Sequence, residues 1–168
     1  MEQQPVLGVE RNAIRVDGLQ AVQSLSVSFA AQARRGLDIV SRDLDPRVYD
    51  QADFLAAARQ LAVSSRFARI RLLVRDVDAV IKADHRLIEM ARRLSSFVEI
   101  RRLGGDDAEF NEAFLLADQV GFLRRPVADR WDGEACFNDP LRARELRRVF
   151  EGLWQRAVVD PNLRRLHI

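Results

Sequence analysis

Apolar residues are distributed along the chain in two different patterns. Segments with apolar side chains every three or four residues predict four amphipathic helices. These helices cover residues 18–35, 52–65, 75–96 and 140–158. Short apolar runs between them predict five strands, at 37–41, 68–74, 97–103, 113–118 and 120–125. Weaker patterns indicate a short edge strand before residue 17 and another at 134–137.

The order of these elements predicts the fold class. The runs at 37–41 and 68–74 are almost wholly apolar, as in parallel strands that are buried on both faces. The strands at 113–118 and 120–125 are too close for a crossover helix, so this pair should be antiparallel. We therefore expect an α/β fold with a mixed, mostly parallel sheet flanked by helices.

One domain should account for all of residues 1–168. Within it we expect residues 1–16 to be loosely ordered and residues 160–168 to form a tail. The helix over 75–96 should break near Asp84, which is a candidate cap for its second part.

Composition excludes several kinds of site. The formal net charge is only +2, and Lys82 is the one lysine, so nearly all positive charge is arginine. A single cysteine, Cys136, rules out an internal disulfide and a cysteine zinc site, and two histidines make a histidine-rich metal site improbable. Without a glycine-rich phosphate loop we expect no cofactor. No apolar run approaches the ~18 residues of a membrane span, so we expect a cytoplasmic protein.

The stretch NEAFLLAD at residues 111–118 has the spacing of a catalytic motif, H-x-K-x-x-x-x-D. With the order of elements and the closing segment FEGLWQRA at 150–157, it resembles one half of the phospholipase D-like fold. The resemblance places Asn111 at the motif histidine, Ala113 at its lysine and Asp118 at its aspartate. Asn111 has no basic nitrogen and Ala113 has no charge, so the phosphodiesterase reaction should be lost. Asp118 is then interpreted as a strand-end carboxylate that fixes neighbouring backbone.

Four further segments resemble a small bacterial family of unknown function, SRDLDPRVYD, DHRLIEMARRLSS, NEAFLLAD and DPNLRRLHI. This resemblance implies a single phospholipase D-like half without its catalytic pair, sometimes beside or fused to GNAT-type acetyltransferase domains. The implied role is a binding or regulatory module, with an acetyltransferase as a possible partner. The interface habit of the superfamily implies a homodimer through the region around residues 111–125.

Ligands of parallel α/β sheets collect beyond the carboxyl ends of the strands. Arg42 and Arg75 follow two of these strands, and His85 comes soon after. With Asn111 and Asp118 they are the candidate anion-binding residues, and we assign no catalytic residue and no metal ligand. The alternative is that Arg42 and Arg75 pair with nearby aspartates and that His85 is a helix-cap histidine.

Two other functions stay open at this point. His85 could serve a residual phosphoester-acting enzyme as its base or nucleophile. The repeated Arg-Arg pairs could bind nucleic acid, although acidic residues are interleaved with them throughout the chain.

Overall fold

The computed structural model describes residues 3–163 and shows a sheet of seven strands with helices on both faces. The strands are β1 (Ile14–Asp17), β2 (Gly36–Ser41), β3 (Arg69–Val74), β4 (Val98–Arg102), β5 (Ala113–Ala117), β6 (Gly121–Arg125) and β7 (Asp132–Cys136). The helices are α1 (Leu19–Gln32), α2 (Pro46–Tyr49), α3 (Ala52–Ser64), α4 (Val77–Lys82), α5 (Arg86–Arg93) and α6 (Pro140–Arg156). The predicted fold class, a mixed sheet flanked by helices, is confirmed.

The sheet order is β1-β7-β6-β5-β2-β3-β4. Only the β2–β3 and β3–β4 pairs are parallel, and the other four pairs are antiparallel. The expected predominance of parallel strands is therefore corrected to a mostly antiparallel sheet. Short connections impose this direction, since the links β5–β6 and β6–β7 leave no room for a crossover helix.

Two hydrophobic cores lie on the two faces of the sheet. Helices α1, α3 and α5 cover one face, where Ile39, Leu72 and Leu115 are fully buried. Among the helices of residues 3–163, α6 covers the other face, packing Phe150 and Trp154 against Phe114 and Phe122. Side chains alternate between these faces along each strand, which is why the central strands read as continuous apolar runs.

Charged side chains share the α6 face of the sheet. Arg71 donates two hydrogen bonds to Asp38 on the neighbouring strand and two to Glu151 on α6. Its guanidinium lies 4.8 Å from the ring centre of Phe150 and 5.4 Å from that of Trp154. This network of hydrogen bonds thus joins α6 to the parallel strands β2 and β3 at the border of the hydrophobic core.

Two local expectations differ from the structure. Residues 5–8 are anchored rather than loose, since Gln32 hydrogen-bonds Leu7 N–H and the Pro5 carbonyl, and Gly8 N–H donates to Phe137 O. The helix over 75–96 breaks near Asp84 as expected, but the cap of its second part is His85 instead of Asp84. Asp84 takes the positive φ of 50° that turns the chain between the two parts. Of the tail, residues 164–168 lie outside the described part.

Candidate anion-binding site

The carboxyl ends of β2, β3 and β4 meet at one edge of the sheet, called here the carboxyl edge. Arg42 and Arg75 directly follow β2 and β3, and Arg102 ends β4. Because β5 is antiparallel to β2, its first end lies at the same edge, and this brings Asn111 to Arg75. The Arg75 guanidinium donates to Asn111 Oδ1 at 3.3 Å. Three of the five candidate residues therefore gather here.

Arg42 and Arg75 have no carboxylate partner within 4 Å among residues 3–163. The alternative that nearby aspartates neutralise them by ion pairing does not hold in this geometry. Asp45 is bound by Arg47 at 2.8 Å, and Asp76 accepts the N–H of Ala79 as the cap of α4. Asp45 and Asp76 are thus engaged elsewhere, whereas Asp43 lies close enough to Arg42 for their charges to interact but forms no ion pair with it.

Arg125, at the end of β6, adds a buried cation to this edge. It is only 4% exposed, and its Nη1 donates to the carbonyls of Ala128 and Arg130 at 2.9 Å each. The guanidinium lies 4.7 Å from the ring centre of Trp131, and Arg47 lies 5.1 Å from the same ring. The carbonyl acceptors carry no formal charge, and the carboxylates that interact with the charge of Arg125 are those of Asp43 and Asp45 in the adjoining hollow.

Two adjoining hollows at the carboxyl edge share Arg42, and together they are called here the carboxyl-edge cleft. One, of about 520 Å³, is lined by Arg42, Arg75 and Arg102 among others. The other, of about 200 Å³, is lined by Arg42, Arg125 and Trp131 among others. The cleft therefore presents cations from four strands together with an indole ring, and several carboxylates line it as well.

Asp43 and Asp45 line the smaller hollow and moderate its positive charge. Burial raises the pKa of Asp43, and repulsion from Asp45 adds to the rise. Burial also pushes the pKa of Asp45 upward, but hydrogen bonds from Arg47 outweigh it and the pKa of Asp45 is lowered. Asp45 thus stays ionised beside its arginine, while Asp43 is the carboxylate most easily neutralised.

His85 is not open to this cleft. It is 2% exposed, its Nδ1 accepts the N–H of Leu87 at 3.1 Å, and its Nε2 lies 2.8 Å from the Leu44 carbonyl oxygen. Burial lowers the pKa of His85. A general base or nucleophile needs a free ring nitrogen, and both nitrogens are engaged here. This arrangement is that of the helix-cap alternative.

Asp118 lies at the opposite edge of the sheet, after β5. The strand separates it from Asn111 by roughly 20 Å at ~3.4 Å per residue. Its carboxylate accepts the backbone N–H groups of Arg34, Arg35 and Gly36 at 2.7–3.0 Å. A positive φ of 52° aims it at this loop. The carboxylate thus fixes backbone, as the strand-end interpretation predicted, and takes no part in the cleft.

Arg125 and Trp131 are site residues that sequence reasoning did not select. Arg125 belongs to one of the repeated Arg-Arg pairs that left nucleic acid open, and Trp131 follows it in the next loop. The signal for Arg125 was its position, since alternation along VGFLRR places it on the same side as Leu123, toward the interior. Trp131 carried no comparable signal, because the loop that brings it to Arg125 is irregular.

Among residues 3–163, no three or more His, Cys, Asp or Glu side chains are grouped so as to hold a metal ion. Within the same range, none of the helices combines the length and the apolar character needed to cross a membrane.

Strands β5 and β6 are interior to the sheet, so a dimer through residues 111–125 can use the ends of these strands but not their edges.

Solved structures share this fold. An archaeal chromatin protein, TrmBL2, described as showing a novel mode of DNA binding, superposes with a TM-score of 0.65 at 16% identity over 90% of this chain. This chain spans 55% of the length of that protein. NucT from Helicobacter pylori gives a TM-score of 0.65 at 11% identity, covering 90% of this chain and 99% of its own.

The phospholipase D family member Nuc from Salmonella typhimurium gives a TM-score of 0.62 at 11% identity, covering 88% of this chain and 97% of its own. The resemblance to a phospholipase D-like half is therefore confirmed for the fold. No curated protein matches the sequence.

The sequence profile of one family, described as a domain of unknown function (DUF7931), matches residues 18–166. This match takes in every helix of the structure and every strand after β1. The chain belongs to the DUF7931 family, and its fold is phospholipase D-like.

Proposed function

We propose that this domain is a non-catalytic, phospholipase D-like module that binds a phosphate-bearing ligand in the carboxyl-edge cleft. The observation that carries the proposal is the pair Arg42 and Arg75, whose guanidinium groups face one hollow without a carboxylate partner among residues 3–163. Guanidinium groups match the oxygen geometry of phosphate and bind it by charge-assisted hydrogen bonds.

The lack of a reaction follows from the side chains at the edge. Asn111, hydrogen-bonded to Arg75, offers an amide where the related motif has its nucleophilic histidine. Ala113 begins β5 as a buried methyl group where that motif has a lysine. His85 cannot replace either group because both of its ring nitrogens are engaged. The edge therefore keeps the means to bind a phosphate and lacks the means to attack it.

Nucleic acid is one source of such a phosphate, and the printed description of the archaeal chromatin protein concerns DNA binding. A free phosphate or a phosphorylated small molecule has the same chemistry. The interleaved acids of the cleft, Asp43 and Asp78 among them, favour a single phosphate group over a long polyanion, because a polyanion would also meet these carboxylates.

Calorimetric titration with inorganic phosphate tests this proposal. We expect saturable binding to the wild-type chain and about tenfold weaker binding to Arg42→Ala and to Arg75→Ala, since each loses a hydrogen bond to a charged group. Arg59→Ala is the matched control, because Arg59 is exposed on α3 and has no ion pair among residues 3–163. Equal affinity in all four proteins would overturn the proposal.

The proposal extends to partners and location. We infer a cytoplasmic regulatory module that acts as a homodimer and beside a GNAT-type acetyltransferase, as the family resemblance implies. Sedimentation velocity tests the dimer, and a strict monomer at high concentration counts against it. Mixing the purified chain with the purified product of a neighbouring gene of the acetyltransferase type tests the second partner, and independent migration of the two proteins counts against that part.

A further inference from the structure

A second groove lies at the opposite edge of the sheet, where β2 and β3 begin, and is called here the amino-edge groove. It encloses about 360 Å³ and is lined by Arg35, Phe67, Arg69, Arg71, Gln119 and Arg147 among others. Strand β3 separates it from the carboxyl-edge cleft by roughly 20 Å at ~3.3 Å per residue. We propose that the amino-edge groove binds single-stranded nucleic acid.

The acids of this groove are already bound within the protein. Asp38 and Glu151 both accept hydrogen bonds from Arg71, and the Asp118 carboxylate accepts three backbone N–H groups. Arg35 and Arg69, by contrast, have no carboxylate partner within 4 Å in the described chain. The local charge available to a ligand is therefore positive.

Two more arginines extend this positive charge beyond the groove. Arg34 precedes Arg35 on the α1–β2 loop, and Arg66 precedes Phe67 on the α3–β3 loop. Both are exposed, and neither forms an ion pair among residues 3–163. Cations on two neighbouring loops can follow successive phosphates of a nucleic-acid backbone.

Phe67 is the feature that selects the class of ligand. Its side chain is 73% exposed at the mouth of the groove, with the Arg66 guanidinium 4.8 Å from its ring centre. An exposed aromatic ring among arginines is the arrangement on which unpaired bases stack. A duplex keeps its bases stacked inside, and an acidic peptide has no base to offer, so neither would use this ring.

The loop that carries Phe67 is held in place before any ligand arrives. Ser65 Oγ accepts the N–H of Phe67 at 3.1 Å. The Arg69 guanidinium donates to the carbonyls of Arg66 and Ala68 at 2.9 and 2.7 Å. A loop that is already fixed loses little conformational entropy on binding, so Phe67 can serve as a stacking surface at low entropic cost.

Fluorescence anisotropy with a labelled oligothymidylate of about 15 nucleotides, at about 50 mM salt, tests the proposal. We expect binding that weakens steeply with salt, about tenfold weaker binding for Phe67→Ala, and a smaller loss with a reduced salt slope for Arg35→Ala. Leu141→Ala and Arg15→Ala are the matched controls, since Leu141 is also 73% exposed and Arg15 is an exposed arginine on β1. Both controls should bind as the wild type does.

Competition and a cleft variant separate this proposal from the one above. An unlabelled duplex or polyglutamate should displace the probe poorly, and Arg42→Ala/Arg75→Ala should still bind it. Failure of the wild type to bind, an unchanged affinity in Phe67→Ala, or equal displacement by duplex or polyglutamate would each overturn the amino-edge proposal. Loss of binding only in the Arg42→Ala/Arg75→Ala variant would show that the nucleic acid binds in the carboxyl-edge cleft, and this result would also overturn the amino-edge proposal.

Discussion

The Nε2–H of His85 donates to the carbonyl oxygen of Leu44 across 2.8 Å in the interior. The proton lies on Nε2 because Nδ1 accepts the N–H of Leu87. Leu44 has a positive φ of 50°, a conformation that is strained for a residue with a branched side chain. The histidine therefore holds the strained loop that presents Arg42 and Asp43 to the cleft.

Two replacements of His85 should destabilise the fold to different extents. His85→Asn keeps an acceptor for Leu87 N–H but cannot reach Leu44, whereas His85→Ala loses both bonds. We expect His85→Ala to lower the free energy of unfolding by roughly 2–3 kcal/mol and His85→Asn by about half of that. Urea unfolding measures both, and an unaltered midpoint for His85→Ala would contradict the structural role.

The same histidine should make stability depend on pH. Burial lowers its pKa from the ordinary 6.5, so below that pH the unfolded chain binds a proton that the folded chain does not. Stability linked to His85 is therefore present above pH 6.5 and is lost as the pH falls from there toward the lowered pKa. Unfolding of the wild type and His85→Asn at several pH values checks this, and the variant should lack that part of the slope.

Asp118→Ala should loosen the amino edge without affecting the carboxyl-edge cleft. The variant leaves the N–H groups of residues 34–36 without their carboxylate, and we expect a loss of roughly 2 kcal/mol in the free energy of unfolding. Gln119→Ala is the control, since its φ of 64° carries the same backbone strain. A loss as large in the control would assign the effect to strain and contradict the role given to the carboxylate.

Acid should strengthen anion binding at the carboxyl-edge cleft. Burial and Asp45 raise the pKa of Asp43, so lowering the pH neutralises Asp43 and removes repulsion from a bound anion. Sulfate is the suitable titrant because it keeps its charge from neutral pH down to the ordinary carboxyl range near about pH 4. The wild type should bind it more tightly at the lower pH and Asp43→Asn should show a flatter profile; parallel profiles for the two proteins would count against Asp43.

Arg71→Met should lower the free energy of unfolding, because Asp38 stays buried without its cationic partner. Burial raises the pKa of Asp38, and Arg71 offsets part of that rise through hydrogen bonds and charge. Without Arg71 the folded chain takes up a proton at Asp38 before the unfolded chain does, so the stability of the variant should increase as the pH falls through the raised pKa. We expect a loss of about 2 kcal/mol near neutral pH.

The double variant Arg71→Met/Asp38→Asn supplies the comparison for that experiment. It lacks the titrating carboxyl and should recover stability near neutral pH, with a weaker dependence on acid. If Arg71→Met and the double variant responded to pH alike, the titrating group would have to be another carboxyl.

Periodicity and short connections were sufficient to predict the strands, the longer helices and the antiparallel β5–β6 pair, but not the single-turn helix α2. The parallel β2–β3 and β3–β4 pairs were also predicted correctly, but the expected predominance of parallel strands was wrong because the pairs β1–β7, β2–β5 and β6–β7, which are all antiparallel, were not predicted. The grouping of Arg42 with Arg75 followed from parallel strands ending together. Sequence spacing could not show that Asn111 contacts Arg75 at one edge of the sheet while Asp118 binds backbone at the other. It also could not show that His85 is buried with a hydrogen bond to Leu44. Long-range packing decides both.

Titration with bis(4-nitrophenyl) phosphate tests the central claim most directly, because this phosphodiester reports binding by heat and cleavage by colour. The account predicts saturable binding to the wild type, roughly hundredfold weaker binding to Arg42→Ala/Arg75→Ala, and no nitrophenolate release by either protein. Equal affinity in the two proteins, or release by the wild type that the double variant lacks, would contradict it.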